Sequence, residues 1–462
     1  MKNLTKSNFL TYLDAPMHLW AEVNDKFEKP LSTYDQHLIK QGYEVEKLAE
    51  EYLQGIVEQD DNLNLIWQRV FVDKNYEATS DALIHNLSDN TYDIYEIKSS
   101  SSVDKTNLYD GTFQFLVANK QIKINKVFIL HLNKEYVSFG KIDLSQLFVA
   151  EDITDKINEL RMEVDIKREE ALEVVSNENS NNIQHCYAPK SCRCTSLCHD
   201  NLPLFSIYDI PHLSKKKKQE LLDLGITQAQ DIPTSFKLSY KQRLVADVAK
   251  TNEPYINKKS IKKELDRYSY PLYFLDYETF NSAVPLFSGY KPNQFMTFQY
   301  SIHVLESKES ELKHYEHLSL DRSDPGKSLV EQLKKEIGNT GSVIVWNQTF
   351  EMGRNKEMAE LYPEYSDFLL DLNERTIDLA DIFKEKMFVH PQIKGSWSIK
   401  NVLPVLAPNL SYKNLSIGKG DDAMVAWWEL VNNDPIDQKT KEALLEYCKL
   451  DTLAMVKIWE NY

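Results

Sequence analysis

The sequence predicts an α/β protein with two separate cores joined by a mainly helical, cysteine-containing connector. Three observations predict it. Within the first 150 residues, apolar runs of period two alternate with segments of period 3.6, and the alternation returns after residue 266. Between these stretches the chain turns to charged helical sequence, a polar segment and four cysteines within thirteen residues. At 462 residues and 42% hydrophobic content, it is too long for one core and has apolar material for more. The expected divisions are 1–150, 151–200, 201–265 and 266–462.

Composition narrows the function classes. The first residues, Met-Lys-Asn-Leu-Thr-Lys-Ser, lack an apolar signal region, and no uncharged stretch has the length needed to cross a bilayer, so a cytoplasmic protein with no membrane partner is expected. A formal charge of −16 argues against a general phosphate-binding surface but leaves local basic patches open.

In the first segment, helical sequence from Thr5 to Asn24 is followed by a second helical pattern from Tyr34 to Leu53. Strand-period runs then cover Leu65 to Val72, Tyr76 to Asn86 and Thr91 to Ser99, with Ser88-Asp89-Asn90 as a turn. Asp110 to Gln121 reads as a helix and Lys126 to Leu132 as a strand. Asp81 lies on the second strand, and Glu96 and Lys98 project from one side of the third. Two carboxylates can bind a divalent cation while a lysine stabilises an anionic phosphorane or holds water. The plain alternative is an exposed ion pair on a surface hairpin. The series Asp81, Glu96-Ile-Lys98 and Gln114 resembles the PD-(D/E)XK nuclease superfamily in its RecB-like branch, with Ser80 where that pattern often has proline. The resemblance implies a restriction-endonuclease-like core, catalytic roles for Asp81, Glu96, Lys98 and Gln114, and one or two Mg2+ or Mn2+ ions on Asp81 and Glu96. Glu46, on the preceding helix, stands where a further acid is often added.

The connector begins as a charged helix and passes through a polar linker, Ser176 to Asn182, into Cys186, Cys192, Cys194 and Cys198. Four thiols so close in a cytosolic chain point to a metal centre rather than disulfides. RecB-like nucleases with an iron–sulfur cluster use three cysteines here and one from the N-terminal segment. By that resemblance Cys186, Cys192 and Cys198 form the trio, while Ala15 stands at the fourth position. Either Cys194 replaces it in a [4Fe-4S] cluster, or Zn2+ binds with His185 or His199. Next come Lys215, Lys216, Lys217 and Lys218, then a helix–glycine–helix pattern ending at Asp231-Ile-Pro233, and further on Lys258, Lys259, Lys262 and Lys263. These lysines either hold nucleic-acid phosphates, as in a helix-hairpin-helix, or form a solvated basic face.

The last segment reads strand Leu272 to Leu275, strand Phe295 to Leu305, strand His314 to Leu318, helix Gly326 to Ile337 and strand Val343 to Trp346, then several helices. The first strand delivers Asp276 and Glu278 two residues apart, onto one face. Glu351 falls in the first turn of the helix after Trp346, and Tyr447 and Asp451 share a helix face at i and i+4. Together these motifs resemble the DnaQ-like DEDD 3′→5′ exonucleases of the tyrosine-containing subclass, on a ribonuclease-H-like fold with a mixed sheet. Glu446 stands where the histidine-containing subclass would place its distinguishing residue, and Glu351 replaces the usual aspartate. The resemblance implies that Asp276, Glu278, Glu351 and Asp451 hold two Mg2+ or Mn2+ ions, with Tyr447 orienting water or moving a proton, and that Asp378 is a supporting acid. The whole arrangement resembles an uncharacterised bacterial family that pairs these two nuclease domains. It implies a nucleic-acid substrate, DNA in preference to RNA, in repair or in defence against foreign DNA. The differing residues Ala15 and Glu351 keep open a nucleic-acid-binding scaffold with degenerate centres.

Overall fold

The computed structural model describes residues 3–462, and the chain is a mixed α/β structure. Two compact units divide it. Unit 1 comprises the described residues up to Asn201 together with Ser282–Gln294, and unit 2 comprises Leu202–Asn281 and Phe295–Tyr462. The segment 151–200 therefore lies in the first unit and 202–265 in the second.

Unit 1 carries a six-stranded sheet of β1 (Leu4–Thr5), β2 (Leu63–Asp73), β3 (Tyr76–Asn86), β4 (Thr91–Lys98), β5 (Ile124–Leu132) and β6 (Phe148–Asp152). The order is β1-β3-β4-β5-β6, with β2 alongside β3. The meander β2-β3-β4 is antiparallel, its turns made by Lys74 and Asn90 in the left-handed region (φ 55° and 54°). β5 returns parallel to β4, which requires a crossover, here the helix Lys105–Ala118. That helix begins five residues before Asp110 because Asp104 and Asn107 form a capping box. The helix Thr33–Val57 turns Val45, Ala49, Leu53 and Val57 inward, at a spacing of four, into a core with Ala82, Ile97, Leu130 and Ala283. A second core joins Phe9, Leu19 and Phe113 with the four clustered cysteines.

The expected helix from Thr5 to Asn24 is in fact two, Lys6–Asp14 and Pro16–Val23. Ala15, extended at φ −160°, ψ 137°, breaks it, since the residue before a proline is pushed out of the helical region while proline itself suits a first helical position.

Unit 2 contains β7 (Tyr255–Ile256), β8 (Leu272–Asn281), β9 (Phe295–Leu305), β10 (Lys313–Leu318), β11 (Ser342–Val345), β12 (Thr376–Asp378) and β13 (Phe388–Val389). Five form a sheet in the order β10-β9-β8-β11-β12, antiparallel from β10 to β8 and parallel from β8 to β12; β7 and β13 pair separately. Central β8 is covered on both faces. Tyr273, Leu275 and Tyr277 pack with Leu333, Met358 and Leu369, while Leu272 and Phe274 pack with Met455 and Val456 of the helix Gln438–Trp459. Burying Leu272 and Phe274 completely is worth roughly 1.5–3 kcal/mol each. The period of two then carries Asp276 and Glu278 onto the face of Leu272 and Phe274, toward that long helix. Among the described residues no helix is long and apolar enough to cross a membrane.

The stretch read either as a helix-hairpin-helix or as a solvated basic face holds the helix Lys215–Asp223, Gly225 at φ +73°, a short 3-10 turn Ala229–Asp231, and the helix Tyr240–Thr251. Lys215, Lys216, Lys258 and Lys259 are exposed; Lys217 and Lys218 are half-buried, and the ammonium of Lys218 lies 5.5 Å from the Tyr208 ring centre.

Candidate functional site

In unit 2, Asp276, Glu278, Glu351, Tyr447 and Asp451 line one cavity of about 370 Å3, together with Trp346, Trp397 and Lys400. Three elements converge there. β8 brings Asp276 and Glu278, and its pairing with β9 slips just after Glu278. The helix Gln348–Leu361 brings Glu351 in its first turn, where backbone N–H groups favour negative charge. The helix Gln438–Trp459 presents Tyr447, Cys448 and Asp451, all buried.

Burial is the main electrostatic fact. It pushes the carboxyls of Asp276, Glu278 and Glu351 well above the usual carboxylate range, and the neighbouring acids add to the rise: Asp451 for Asp276, Asp276 for Glu278 and Glu351. Asp451 is pushed up to about 6 by burial, held back by the Tyr412 phenol, which donates to its Oδ1 at 2.5 Å. Glu351 Oε2 is buried and has no hydrogen-bond partner among the described residues. Four acids crowded in one buried cavity, with Lys400 offsetting only part of their charge, are chemically suited to hard divalent ions, whose ligands are carboxylate oxygens. Among the described residues the one ammonium lining the cavity is that of Lys400, whose Nζ donates to Gly418 O at 2.7 Å and lies 3.4 Å from the Tyr447 hydroxyl. Burial and the nearby Asp451 hold the Tyr447 phenol far above its ordinary value, so it stays protonated.

Asp378 does not line this cavity. Its side chain is fully buried, accepts from Gln348 N at 3.0 Å and Ala380 N at 2.9 Å, and pairs with Lys384 Nζ at 2.7 Å. It thereby caps the helix that carries Glu351, whose own cap residue, Asn347, makes no side-chain capping bond among the described residues.

Unit 1 brings Asp81, Glu96, Lys98 and Gln114 together. Lys98 Nζ donates to Glu96 Oε1 and Asp110 Oδ2, both at 2.7 Å; Gln114 Nε2 donates to Glu96 and, at 3.1 Å, to Asp110; Asp81 accepts from Ile97 N at 2.8 Å. Two members escaped the sequence. Asp110 had a signal, four residues before Gln114 on one helix face, whereas Lys6, 2.8 Å from Glu96, had none. Burial would raise Glu96, but the ammoniums of Lys6 and Lys98 overcome it and hold the carboxyl far below its usual range. Asp81 goes the other way, pushed up to about 8 by burial and the charge of Glu96. Half-buried Glu46 is raised by burial and then by Glu96.

Cys186, Cys192, Cys194 and Cys198 are all buried and unbridged, and with His18 and His199 they form a cluster that could bind a metal such as Zn2+. His185 turns away, its Nδ1 3.0 Å from Cys198 O, while His199 Nε2 lies 3.2 Å from Cys186 Sγ. Buried Ala15 offers no donor; one turn later His18 does, its Nε2 3.4 Å from Cys192 Sγ.

Comparison with known proteins covers part of these sites. Residues 273–398 match a family model described as a domain of unknown function (DUF2779), which takes in Asp276, Glu278 and Glu351 and stops short of Tyr447 and Asp451. The chain is 30% identical over 205 residues to the uncharacterized protein MG366 homolog of Mycoplasma pneumoniae, covering 40% of this chain and 31% of that protein. It is 26% identical over 294 residues to the uncharacterized protein UU173 of Ureaplasma parvum, covering 56% and 41%. With the uncharacterized protein MG366 of Mycoplasma genitalium it shares 28% identity over 207 residues, covering 40% and 31%. The chain thus spans less than half the length of these relatives. No solved structure matches it.

Proposed function

We propose that unit 2 is a metal-dependent 3′→5′ exonuclease of the DnaQ-like DEDD type, with DNA as the favoured substrate, and that unit 1 carries a second, RecB-like nuclease centre. The convergence of Asp276, Glu278, Glu351 and Asp451, from three separated stretches, with Tyr447 on one cavity carries this reading. The order β10-β9-β8-β11-β12 supports a ribonuclease-H-like fold, and in unit 1 the meander with its parallel crossover strand supports a restriction-endonuclease-like core.

The four carboxylates would hold two Mg2+ or Mn2+ ions, which when bound supply an activated water and charge stabilisation for the leaving 3′ oxygen. The chain's own groups do the rest. Protonated Tyr447 donates from its hydroxyl to a water or phosphate oxygen, which makes it an orienting group rather than a base. Lys400, beside that hydroxyl, brings positive charge to the scissile phosphate. Trp397, more than a third exposed where it lines the cavity, offers an aromatic surface on which a terminal base can stack, a contact that tolerates any sequence, whereas Trp346 is buried against Phe383.

One observation favours a second reading for unit 1. Lys6 Nζ lies 3.8 Å from both Asp81 and Asp110 besides contacting Glu96, so a resident ammonium supplies charge that a metal otherwise would. On that reading unit 1 holds nucleic acid without cutting it.

Digestion of 3′- and 5′-labelled single- and double-stranded DNA and RNA with Mg2+ or Mn2+ tests both readings. Stepwise loss from the 3′ end that disappears in Asp276→Ala and persists in Glu96→Ala supports unit 2 as the nuclease. Digestion unchanged in Asp276→Ala and lost in Glu96→Ala moves the activity to unit 1, and no digestion of any substrate refutes the enzyme.

A further inference from the structure

The cysteine cluster holds more donors than one ion can use. Its atoms form two sets of four, His18, Cys192, Cys194, Cys198 and Cys186, Cys192, Cys198, His199, each with all donors within 4.8 Å of one another. Cys192 and Cys198 belong to both sets. A tetrahedral ion takes four ligands, so a single ion would leave two buried donors idle, whereas two ions sharing Cys192 and Cys198 employ all six.

Distance and charge agree with that arrangement. Zn–S bonds of about 2.3 Å in a tetrahedron set sulfurs about 3.8 Å apart. Here Cys194 and Cys198 are 3.8 Å apart, and Cys192 and Cys194 4.0 Å. In a four-iron cluster each thiolate binds its own iron at the outside of the cube, which spreads the sulfurs farther than around one ion, so these short separations do not suit it. Two Zn2+ also offset four thiolates completely, whereas one ion on four thiolates would leave two negative charges in a buried site.

His18 gives independent support. Asp14 Oδ2 lies 2.5 Å from its Nδ1, which leaves Nε2 directed at Cys192. A carboxylate behind an imidazole is the arrangement that fixes a ring nitrogen for a metal.

We propose that the chain holds two zinc ions bridged by the thiolates of Cys192 and Cys198, with His18 and Cys194 completing one tetrahedron and Cys186 and His199 the other. The four thiol protons leave to solvent on binding, and no electron is transferred. The centre clips the helix Pro16–Val23 to a segment 174 residues away in sequence.

Zinc counting on the full chain, passed over a chelating resin and measured by elemental analysis and native mass spectrometry, tests this directly. Two zinc ions per colourless chain are expected, with the same count in an Asp276→Asn/Asp451→Asn variant, whose carboxylate centre is disabled. One zinc, none, or iron with visible absorption overturns the proposal. Reconstitution with 113Cd should give two resonances split by mutual coupling through the shared sulfurs, and two uncoupled resonances would remove the bridge. His18→Ala should lower the count from two to one; a count still at two would exclude His18 as a ligand.

Discussion

Replacing Asp451 with Asn should stabilise the metal-free chain while abolishing the hydrolysis proposed for unit 2. Burial lifts this carboxyl from 3.8 to about 6, so between those values the folded chain binds more protons than the unfolded one. Stability contributed by the group therefore falls as pH rises through that window and stays low above it. The interval of about two units corresponds to about 3 kcal/mol at pH 7.5, at 1.36 kcal/mol per unit. Asparagine cannot ionise, and its carbonyl still accepts from Tyr412, so most of that cost disappears. For a unit of about 250 residues, where 1 kcal/mol moves Tm by about 2–4 °C, the rise should be about 6–12 °C. Five of the seven tryptophans lie in unit 2, so fluorescence-monitored melting in chelator follows the relevant transition. At pH 4 the gain should nearly vanish, because the native carboxyl is then protonated, and Mn2+ should raise the Tm of the parent chain far more than that of the variant. An Asp451→Asn chain that melts at or below the parent at pH 7.5 in chelator would refute the reasoning.

Three further outcomes follow from the same geometry. Glu351→Asp shortens the side chain by one methylene and should lower kcat about 100-fold, since displacing a reacting-site group by about 1 Å costs that much; a rate within threefold of the parent would show that Glu351 Oε2 is not a ligand. Asp378→Ala strips the cap from the helix that carries Glu351 and leaves Lys384 without its carboxylate partner, so urea unfolding should show a loss of about 2–4 kcal/mol, and a loss below about 1 kcal/mol would contradict its anchoring role. Lys400→Met should reduce kcat/KM and flatten its dependence on the logarithm of salt concentration by about 0.7 on single strands; an unchanged slope would mean that Lys400 meets no phosphate.

What could be read from the residues alone is local. Alternation along β8 was enough to put Asp276 and Glu278 on one face, and i, i+4 spacing enough to join Tyr447 with Asp451, because both relations hold within a single element. Glu351 was legible from its place one turn into a helix. Lys400 and Tyr412 were not, since they reach Tyr447 and Asp451 from a stretch of short helix and turn whose path is decided by packing. Lys6 meets Glu96 across 90 residues of sequence, and His18 meets Cys192 across 174, separations at which spacing carries no information. β6 and β12 escaped for another reason: with five and three residues they are too short to show a period, and neighbouring strands define them. The break at Ala15 is the opposite case, a rule about proline that outweighs a continuous helical pattern.

The segment Ser282–Gln294 joins β8 to β9 of unit 2 yet belongs to unit 1, where Ala283 N donates to Gln41 at 2.7 Å, Gly289 N to Ser138 O at 2.7 Å and Asn293 Nδ2 to Ser99 O at 2.9 Å. On the ribosome, residue 294 is made roughly 5–20 s after residue 201 at about 5–20 residues per second. Through that interval unit 1 lacks the backbone that seats beside Gln41 and Ser138, so its last native contacts form only once about a third of unit 2 has been synthesised. A chain cut at Asn201 would stay in that unfinished state permanently, with the positions that Ala283 and Tyr290 cover left open to protease, while the equivalent cut through a simple tandem of domains would release a finished one.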